Sequence, residues 1–449
     1  MVSIAKALQS IKHNPLDVLN RQTIERLCRE HGYEWHDREL DPATTLALFL
    51  RQMLHGKVPC TEVPLLARED FTASAYGQAR SRLPLKVCQR LVTLAADRAR
   101  PAVDEAEHLG HGLRVWIMDG STLSMPDTQE LRQAFGLPGG QMKDGGFPVA
   151  RLRVLFSAST GLLLDVSATA GCTGELSQVS SMHLRAGVAD LFLGDTLYGT
   201  YAHWALLLQR KQHGLFPMHP KRIVDFTGCR AFVKEGAKGS AGLPRSEWIR
   251  WLGWQDQRAR YFKPQQKPLW MTREQYAALP GSIVVRELRR TVRRKGMGQV
   301  TVTIVTTLTD ATKDPAKERV DLRLGRWEVE RNLAYLKTTM GLDVLKCKSE
   351  AGARKERCMF ALAYNLLRVV MLEAARRQKL AVKRLRFSHA LKWMRHARRG
   401  DALAKLVVNP YRPDRIEPRC KKRRPKQYDL MRQPRRVLRE MLQKQARAA

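Results

Sequence analysis

Apolar residues recur at helical spacing through "TIERLCREHG", "TTLALFLRQMLHG" and "LKVCQRLVTLAADRARPAV", which predicts a mostly helical region over residues 1–110. At "RVWIMDGSTLSM" the pattern changes to a short apolar strand ending on Asp119. Two further strand-like runs, "VARLRVLFSAST" and "GLLLDVSATAG", flank a hairpin-like turn at Thr160-Gly161. A helical stretch near "ELSQVSSMHLRAGV" precedes the strand "DLFLGD", which ends on Asp195, and then a helix in "TYAHWALLLQRKQHG" and a strand in "LFPMH". Three strands, helix, strand, helix is the order of a mixed α/β layered sheet.

Residues 220–310 interrupt that order. They are rich in Gly and Arg, with strand-like runs "RAFVKEG", "SIVVRELRRTV" and "GQVTVTIVTTLTD", and read as a β-rich, strongly basic insertion. Helices resume at Asp314-Pro315, a plausible start signal, with "DPAKERVDLRLGRWEVERNLAYLKTTMG", followed by "ARKERCMFALAYNLLRVVMLEAARRQ". The chain therefore divides into 1–110 (helical), 111–219 and 311–380 (two parts of one α/β core), 220–310 (β-rich insertion) and 381–449 (a basic helical region and tail).

Charge sharpens this picture. Across 449 residues the formal net charge is +36, an excess that repels itself in a compact state unless a polyanion accepts it. Nucleic acid is the leading partner. No long Lys/Arg helix with a Trp/Phe face supports a membrane-surface protein, and "MFALAYNLLRVVML" is too short for a span and contains Asn365 and Arg368. The start shows no signal peptide, and eight cysteines without a Cys-x-x-Cys pair support neither a zinc ribbon nor a disulfide framework, so a reducing cytoplasm is expected.

The candidate chemistry lies in three carboxylates. Strand ends in open α/β sheets present groups to a crevice, and both Asp119 in "MDGST" and Asp195 in "GDTLYG" occupy such ends. Either one alone reads equally as a turn former or helix cap. In "RWEVERNLAYLKTTMG" a helical projection puts Arg323, Arg326, Glu330 and Lys337 on one stripe, beside the apolar stripe Leu322, Val329, Leu333, Leu336 and Met340. An Arg326–Glu330 surface ion pair explains part of that stripe, but not its continuity from Arg323 to Lys337. Three carboxylates brought together raise one another's pKa unless divalent cations neutralise them, and oxygen-only ligation suits Mg²⁺ or Mn²⁺. Two such ions about 4 Å apart serve phosphodiester cleavage.

These motifs resemble the DDE transposases of the insertion sequence 4 family, marked by Y-x2-R-x3-E-x6-K around the last acid. Glu330 matches the Glu, Arg326 the Arg and Lys337 the Lys, while Arg323 stands where the family has Tyr. "MDGSTLSMPDT" and "FLGDTLYGTY" resemble the two Asp motifs, and "AYGQARSRLP", "GLDVLKCKS" and "AYNLLR" extend the similarity over most of the chain. The resemblance implies an RNase H-like core with a β-rich insertion, a triad of Asp119, Asp195 and Glu330 holding two Mg²⁺ or Mn²⁺ ions, and helical end recognition. It also implies a homodimer that brings together the terminal inverted repeats of double-stranded DNA and moves them into target DNA by cut-and-paste transfer.

Arg323, Arg326 and Lys337 are expected on DNA phosphates, and Trp327 either in the core or stacked on an unpaired base. The basic hairpin carrying Arg290, Arg293 and Arg294 leaves cations on both sides of a strand, one side free to follow a phosphate backbone. Ser74, Tyr76, Gln78, Arg80 and Arg82 read either as a helix surface between packed helices or as phosphate contacts. Asp127, Asp165 and Glu175 are assigned structural places, and no histidine set completes a zinc site. A noncatalytic DNA-binding relative and a nonspecific RNase H-like nuclease are the alternative functions.

Overall fold

The structure is a computed structural model that describes residues 19–36, 39–67, 70–105, 112–138, 146–171, 174–233, 242–294, 298–397, 402–410 and 435–448. His108, His111, Lys295 and the basic tail around 421–426 lie outside these residues, as do the side chains of Glu175, Arg294 and Trp327.

Besides a single helical turn at Val63–Ala67, four helices open the described chain: α1 (Arg21–Glu30), α2 (Pro42–Leu54), α3 (Ala73–Arg82) and α4 (Leu85–Glu105). Their starts follow from side-chain caps. Asn20, Asp41 and Thr72 accept from the amides of Thr23, Thr44 and Ala75, and Pro42 fills the first turn of α2, where its missing N–H costs nothing.

Nine strands then form one mixed sheet in the order β3-β2-β1-β4-β5-β9-β8-β7-β6. They are β1 (Val115–Ser124), β2 (Val149–Ser157), β3 (Leu163–Ala170), β4 (Leu191–Leu193), β5 (His213–Pro217), β6 (Ser246–Gly253), β7 (Asp256–Phe262), β8 (Ser282–Arg294) and β9 (Gly298–Thr306). Strands β1, β4 and β5 run parallel, and the β1–β2–β3 and β5–β9–β8–β7–β6 pairings are antiparallel. Helix α5 (Gln129–Phe135) intervenes between β1 and β2, and α6 (Tyr201–Gln209) between β4 and β5.

Several sequence expectations change. Strand β1 does not end on Asp119 but runs to Ser124, because "GSTLS" continues the pairing with β2. No strand forms over the described part of "RAFVKEG"; β6 and β7 form instead from "SEWIRWLG" and "DQRARYF". Strands β6 to β9 extend the central sheet, since β9 pairs with β5. The long helix expected from Asp314 is two helices, α7 (Ala316–Gly325) and α8 (Trp327–Ala334), meeting at Arg326 and followed by a π-turn at Tyr335–Thr339.

Helix α9 (Glu350–Arg377) is the central beam. It is long and apolar enough by length and composition to cross a membrane, longer than the sequence pattern suggested, yet 94% of its apolar stretch is buried inside the fold. It packs on α4, α2 and β3. Each large apolar side chain it buries contributes about 1.5–3 kcal/mol relative to exposure. The two polar residues noted in its apolar run are also satisfied. Asn365 accepts from the Leu163 amide and donates to the Leu163 carbonyl, both at 2.8 Å, and the Arg368 guanidinium Nε donates to the Thr160 carbonyl at 3.0 Å.

Candidate active site

Pairing between the parallel strands ends at one row, Ile117 opposite Leu193. Asp119 and Asp195 each stand two residues beyond it. Strand β1 continues past that row with β2 as its partner, so the β4 side of Asp119 opens toward the turn that carries Asp195. Ser121 shares the face of Asp119 by strand alternation. Asp195 is also a cap, accepting from the Leu197 amide at 2.9 Å at the start of the Thr196–Tyr198 turn. "GDTLYG" has a packing reason: a Cβ on Gly194 would come within 2.6 Å of the Tyr198 ring, which is fully buried against Phe216.

The junction of α7 and α8 brings the third acid to this opening. Arg326 lies with Nη2 3.3 Å from Oε1 of Glu330 and Nη1 4.0 Å from Oδ2 of Asp119. Val329, Leu336 and Met340 are buried and anchor the segment, while the Glu330 side chain stays 38% exposed. Burial pushes the Asp119 carboxyl up to about 6, with Asp195 and Glu330 adding to the rise; the Gly120 amide at 2.9 Å and Arg326 pull the other way. Arg323 is drawn down to about 10 by burial and by Arg326, against the pull of Asp195 and Glu330. Its Nε is buried with no hydrogen-bond partner among the described residues.

So Asp119, Asp195, Glu330, Arg323 and Arg326 share one electrostatic neighbourhood. Lys337, on the π-turn, donates to Ser121 Oγ at 2.5 Å, two residues from Asp119. A π-turn shifts the register of a helix by one residue and is frequent at functional sites. Sequence reasoning missed Ser121 as the partner of Lys337, although "MDGST" held it in view.

Among the described residues no three His, Cys, Asp or Glu side chains stand close enough to hold a metal ion as they lie. The donor chemistry nevertheless suits a hard divalent cation. All three acids offer oxygen, and the Arg326 guanidinium lies between two of them, Asp119 and Glu330.

The family described as "Transposase DDE domain" matches residues 110–366, the interval that contains all three acids. The chain belongs to this DDE transposase family. It is 26% identical to the transposase InsG for insertion sequence element IS4 of Escherichia coli (strain K12), over 92% of this chain and 94% of that protein. A solved piggyBac transposase synaptic complex with hairpin DNA aligns over 88% of this chain and 80% of its own with a TM-score of 0.44 and 6% identity, too remote to carry an argument. Membership makes this a transposase-type, DNA-binding enzyme of the insertion-sequence kind, with the metal-dependent DNA-cutting chemistry of its family.

In this DDE-family chain the flanking motifs have structural work. Tyr76 and Arg80 of "AYGQARSRLP" point inward, donating to Gln52 Oε1 at 3.0 and 2.9 Å, and the Arg80 guanidinium lies 3.7 Å from the Phe49 ring centroid. Of the five donors named there, these two are occupied; Ser74, Gln78 and Arg82 are exposed. Lys57 donates to the carbonyls of Gly341 and Val344, and Glu356 accepts from the amides of Lys346 and Cys347 at 3.0 Å. Lys57 clasps the end of the N-terminal helical region, and Glu356 clasps α9, to "GLDVLKC", which in turn bridges to β1 at Ser124.

Asp127 pairs with Arg132 and Asp165 accepts from the Val166 amide, both local structural contacts. Arg290 and Arg293 lie on β8, four strands from β1, outside the acid neighbourhood; Arg290 donates to the Trp254 carbonyl, and Arg293 is exposed.

Proposed function

We propose that this chain is an active cut-and-paste transposase whose catalytic acids are Asp119, Asp195 and Glu330, carried on an RNase H-like core. The observation that carries the reading is the Arg326 guanidinium, 3.3 Å from Glu330 and 4.0 Å from Asp119, which holds two of the acids together inside the interval matched by the family. Two Mg²⁺ or Mn²⁺ ions held by these oxygens would activate the attacking water and stabilise the leaving oxygen of the phosphodiester.

The chain's own residues do the rest. Arg326, which neutralises Asp119 and Glu330 without DNA, turns to a phosphate of the scissile strand when cations take over that task. Arg323 offers a second guanidinium from the same side, and a guanidinium can grip a phosphate bidentately where a Tyr could not. Lys337 holds the Glu330 segment to β1 through Ser121 and adds a further positive charge. The helical region 1–110 and the basic strands of 220–310, with Arg290, Arg293, Arg294 and Trp327, hold the terminal repeats. Two copies pair two ends, in the bacterial cytoplasm and on its nucleoid.

The test is cleavage of the element's own terminal inverted repeats. Purified protein should cut them in Mg²⁺ and not in EDTA, and Glu330→Gln should abolish cutting while still binding the DNA. Cutting that survives Glu330→Gln refutes the assignment. Arg323 in place of the family Tyr favours a second reading, a noncatalytic DNA-binding relative; binding insensitive to Mg²⁺ with no cleavage at any metal concentration would establish it.

A further inference from the structure

Between the π-turn that carries Lys337 and helix α9, the chain passes beside the end of β1 as a strap, "GLDVLKC", residues 341–347. Three backbone bonds set its course. The Asp343 amide donates to the Lys337 carbonyl at 3.3 Å, the Ser124 amide to the Asp343 carbonyl at 2.9 Å, and the Leu345 amide to the Ser124 carbonyl at 2.8 Å. Asp343 therefore joins the π-turn to the strand that carries Asp119 and Ser121. Where the strap lies decides how the Glu330 segment faces β1.

Lys57, just beyond α2, pins that strap from outside. Its ammonium donates to the carbonyls of Gly341 and Val344, on either side of Asp343. The lysine stem passes so close that a Cβ on Gly341 would lie 3.2 Å from Lys57 Cε, and Gly341 itself turns at φ +93°. Lys57 is anchored in turn: its amide donates to the Gln52 carbonyl at 3.0 Å, and its carbonyl accepts from Lys346 Nζ at 2.9 Å. It holds a left-handed φ of 59°, uncommon for a residue with a side chain.

A buried cation and a left-handed lysine are each unfavourable by themselves. Burial draws the Lys57 pKa down, Glu356 and Asp343 oppose the fall, and Lys346 adds to it. Filling the space does not require the charge, since a methionine occupies nearly the same volume. What the ammonium adds is two directed bonds to the strap. At 8% exposure it is also too deep to serve as a DNA phosphate contact.

We propose that Lys57 is a positioning residue of the reaction: from the N-terminal helical region it fixes the strap against β1 and so sets Glu330 and Lys337 opposite Asp119. The proposal rests on the catalytic reading above. Its test compares Lys57→Met with Lys355→Met in the full-length protein. Lys355 is similarly buried and ties the same helical region to α9, on the carbonyls of Arg80 and Ser81 at 3.2 and 2.8 Å, with no bond to the strap.

Affinity for the terminal inverted repeat is measured against salt, then single-turnover cleavage of the bound DNA in Mg²⁺, and hydrogen exchange of the Ser124 and Leu345 amides without DNA. Lys57→Met should keep the parent's salt slope, where loss of a lysine on a phosphate would lower it by about one. Its cleavage should slow about 10- to 100-fold, the effect of an ångström-scale misplacement. The two amides should exchange about tenfold faster for want of a charge-assisted bond. Lys355→Met should cut at the parent's rate and leave both amides unchanged. Lys57→Gln and Lys355→Gln repeat the comparison if either Met variant fails to fold. Parent-like cleavage in Lys57→Met, an equal loss in Lys355→Met, a lowered salt slope or unchanged exchange each overturns the role. A parent that does not cut refutes the catalytic acids instead, and the exchange still decides whether Lys57 fixes the strap, so the two failures are told apart.

Discussion

The Lys337 ammonium donates to the Ser121 hydroxyl at 2.5 Å, joining the π-turn after the Glu330 helix to the strand that carries Asp119. Burial lowers the pKa of Lys337 and Asp343 partly restores it. Because the lysine is already committed to β1, it acts first as a spacer between the two acids. A double-mutant cycle of Lys337→Met and Ser121→Ala in urea unfolding should give a coupling of about 1 kcal/mol, below the roughly 1.5–3 kcal/mol of a buried bond to a charged donor because the position is partly exposed. Additive losses would mean that the clamp contributes nothing.

Arg326 stands where extra positive charge is needed. Removing it in Arg326→Ala leaves Asp119 facing Asp195 and Glu330 uncompensated, so the Asp119 carboxyl should rise further above its present value of about 6 in metal-free protein. With one cation fewer beside the acids, Mn²⁺ should bind several-fold more tightly, while cleavage falls roughly 10²-fold for want of a phosphate contact. Electron paramagnetic resonance titration gives the first quantity. Mn²⁺ binding that weakens in the variant would contradict the role.

Gly161 turns the β2–β3 hairpin at φ +68°, and a Cβ there would lie 2.2 Å from Arg368 Nη2. The guanidinium in that space is tied to the Thr160 carbonyl, and Tyr364 donates to the Gly161 carbonyl at 2.9 Å. Gly161→Ala therefore adds left-handed strain and displaces a buried charged donor, a loss of about 2–3 kcal/mol. A shift of the urea midpoint at unchanged slope measures it; stability within 0.5 kcal/mol of the parent, roughly the noise of a surface substitution, would show that Arg368 moves aside freely.

That turn also marks the limit of what the chain discloses. Thr160-Gly161 is legible because hairpin chemistry is local, but Arg368, more than two hundred residues later, is not, since nothing nearby encodes what fills the space above a turn. Asp119 and Asp195 are legible as acids after apolar runs. That β1 continues past Asp119 depends on β2 as a partner and cannot be read from "MDGST" alone. The break at Arg326 and the π-turn at Lys337 escape a fixed 100° projection, which assumes one unbroken helix. Strands β6 and β7 escape the apolar pattern because β6 is mostly half-buried or exposed and β7 buries the polar Asp256 and Gln257 beside Ala259 and Tyr261, so the apolar period is faint.

His183 and His203, with His55 and His213, make the fold sensitive to acid. His183 and His203 are fully buried and stacked at 4.9 Å with Nε2 atoms 2.9 Å apart, and His203 Nδ1 lies 2.7 Å from the Tyr198 carbonyl. A carbonyl only accepts, so His203 carries its proton on Nδ1 and its Nε2 accepts from His183. Protonating His203 on Nε2 sets two N–H groups against each other, and protonating His183 on Nδ1 buries a charge at an atom without a hydrogen-bond partner among the described residues. Burial takes His203 down to about 4 and His183 well below the usual histidine value. The unfolded chain therefore binds more protons below about 6.5, the ordinary histidine value. The stabilisation is complete above that pH and is lost as pH falls through 6.5 toward 4, at about 1.4 kcal/mol per pH unit for each histidine. Asp119 works in the opposite sense, because its raised carboxyl favours the fold as pH drops below about 6. Comparison with His183→Phe cancels that term, since Asp119 is present in both proteins, and the phenyl ring can stack on His203 and Phe192 in the same space. The fall in thermal midpoint between pH 7 and pH 5 should be about a quarter smaller in the variant, one of the four lowered histidine titrations, with His55, His203 and His213, having gone. An equal fall would place the acid sensitivity elsewhere. Because the His203 bond holds the carbonyl of Tyr198, three residues after Asp195, the same titration should loosen the turn that presents that acid, and protease cleavage after Leu197 should rise over the same pH interval.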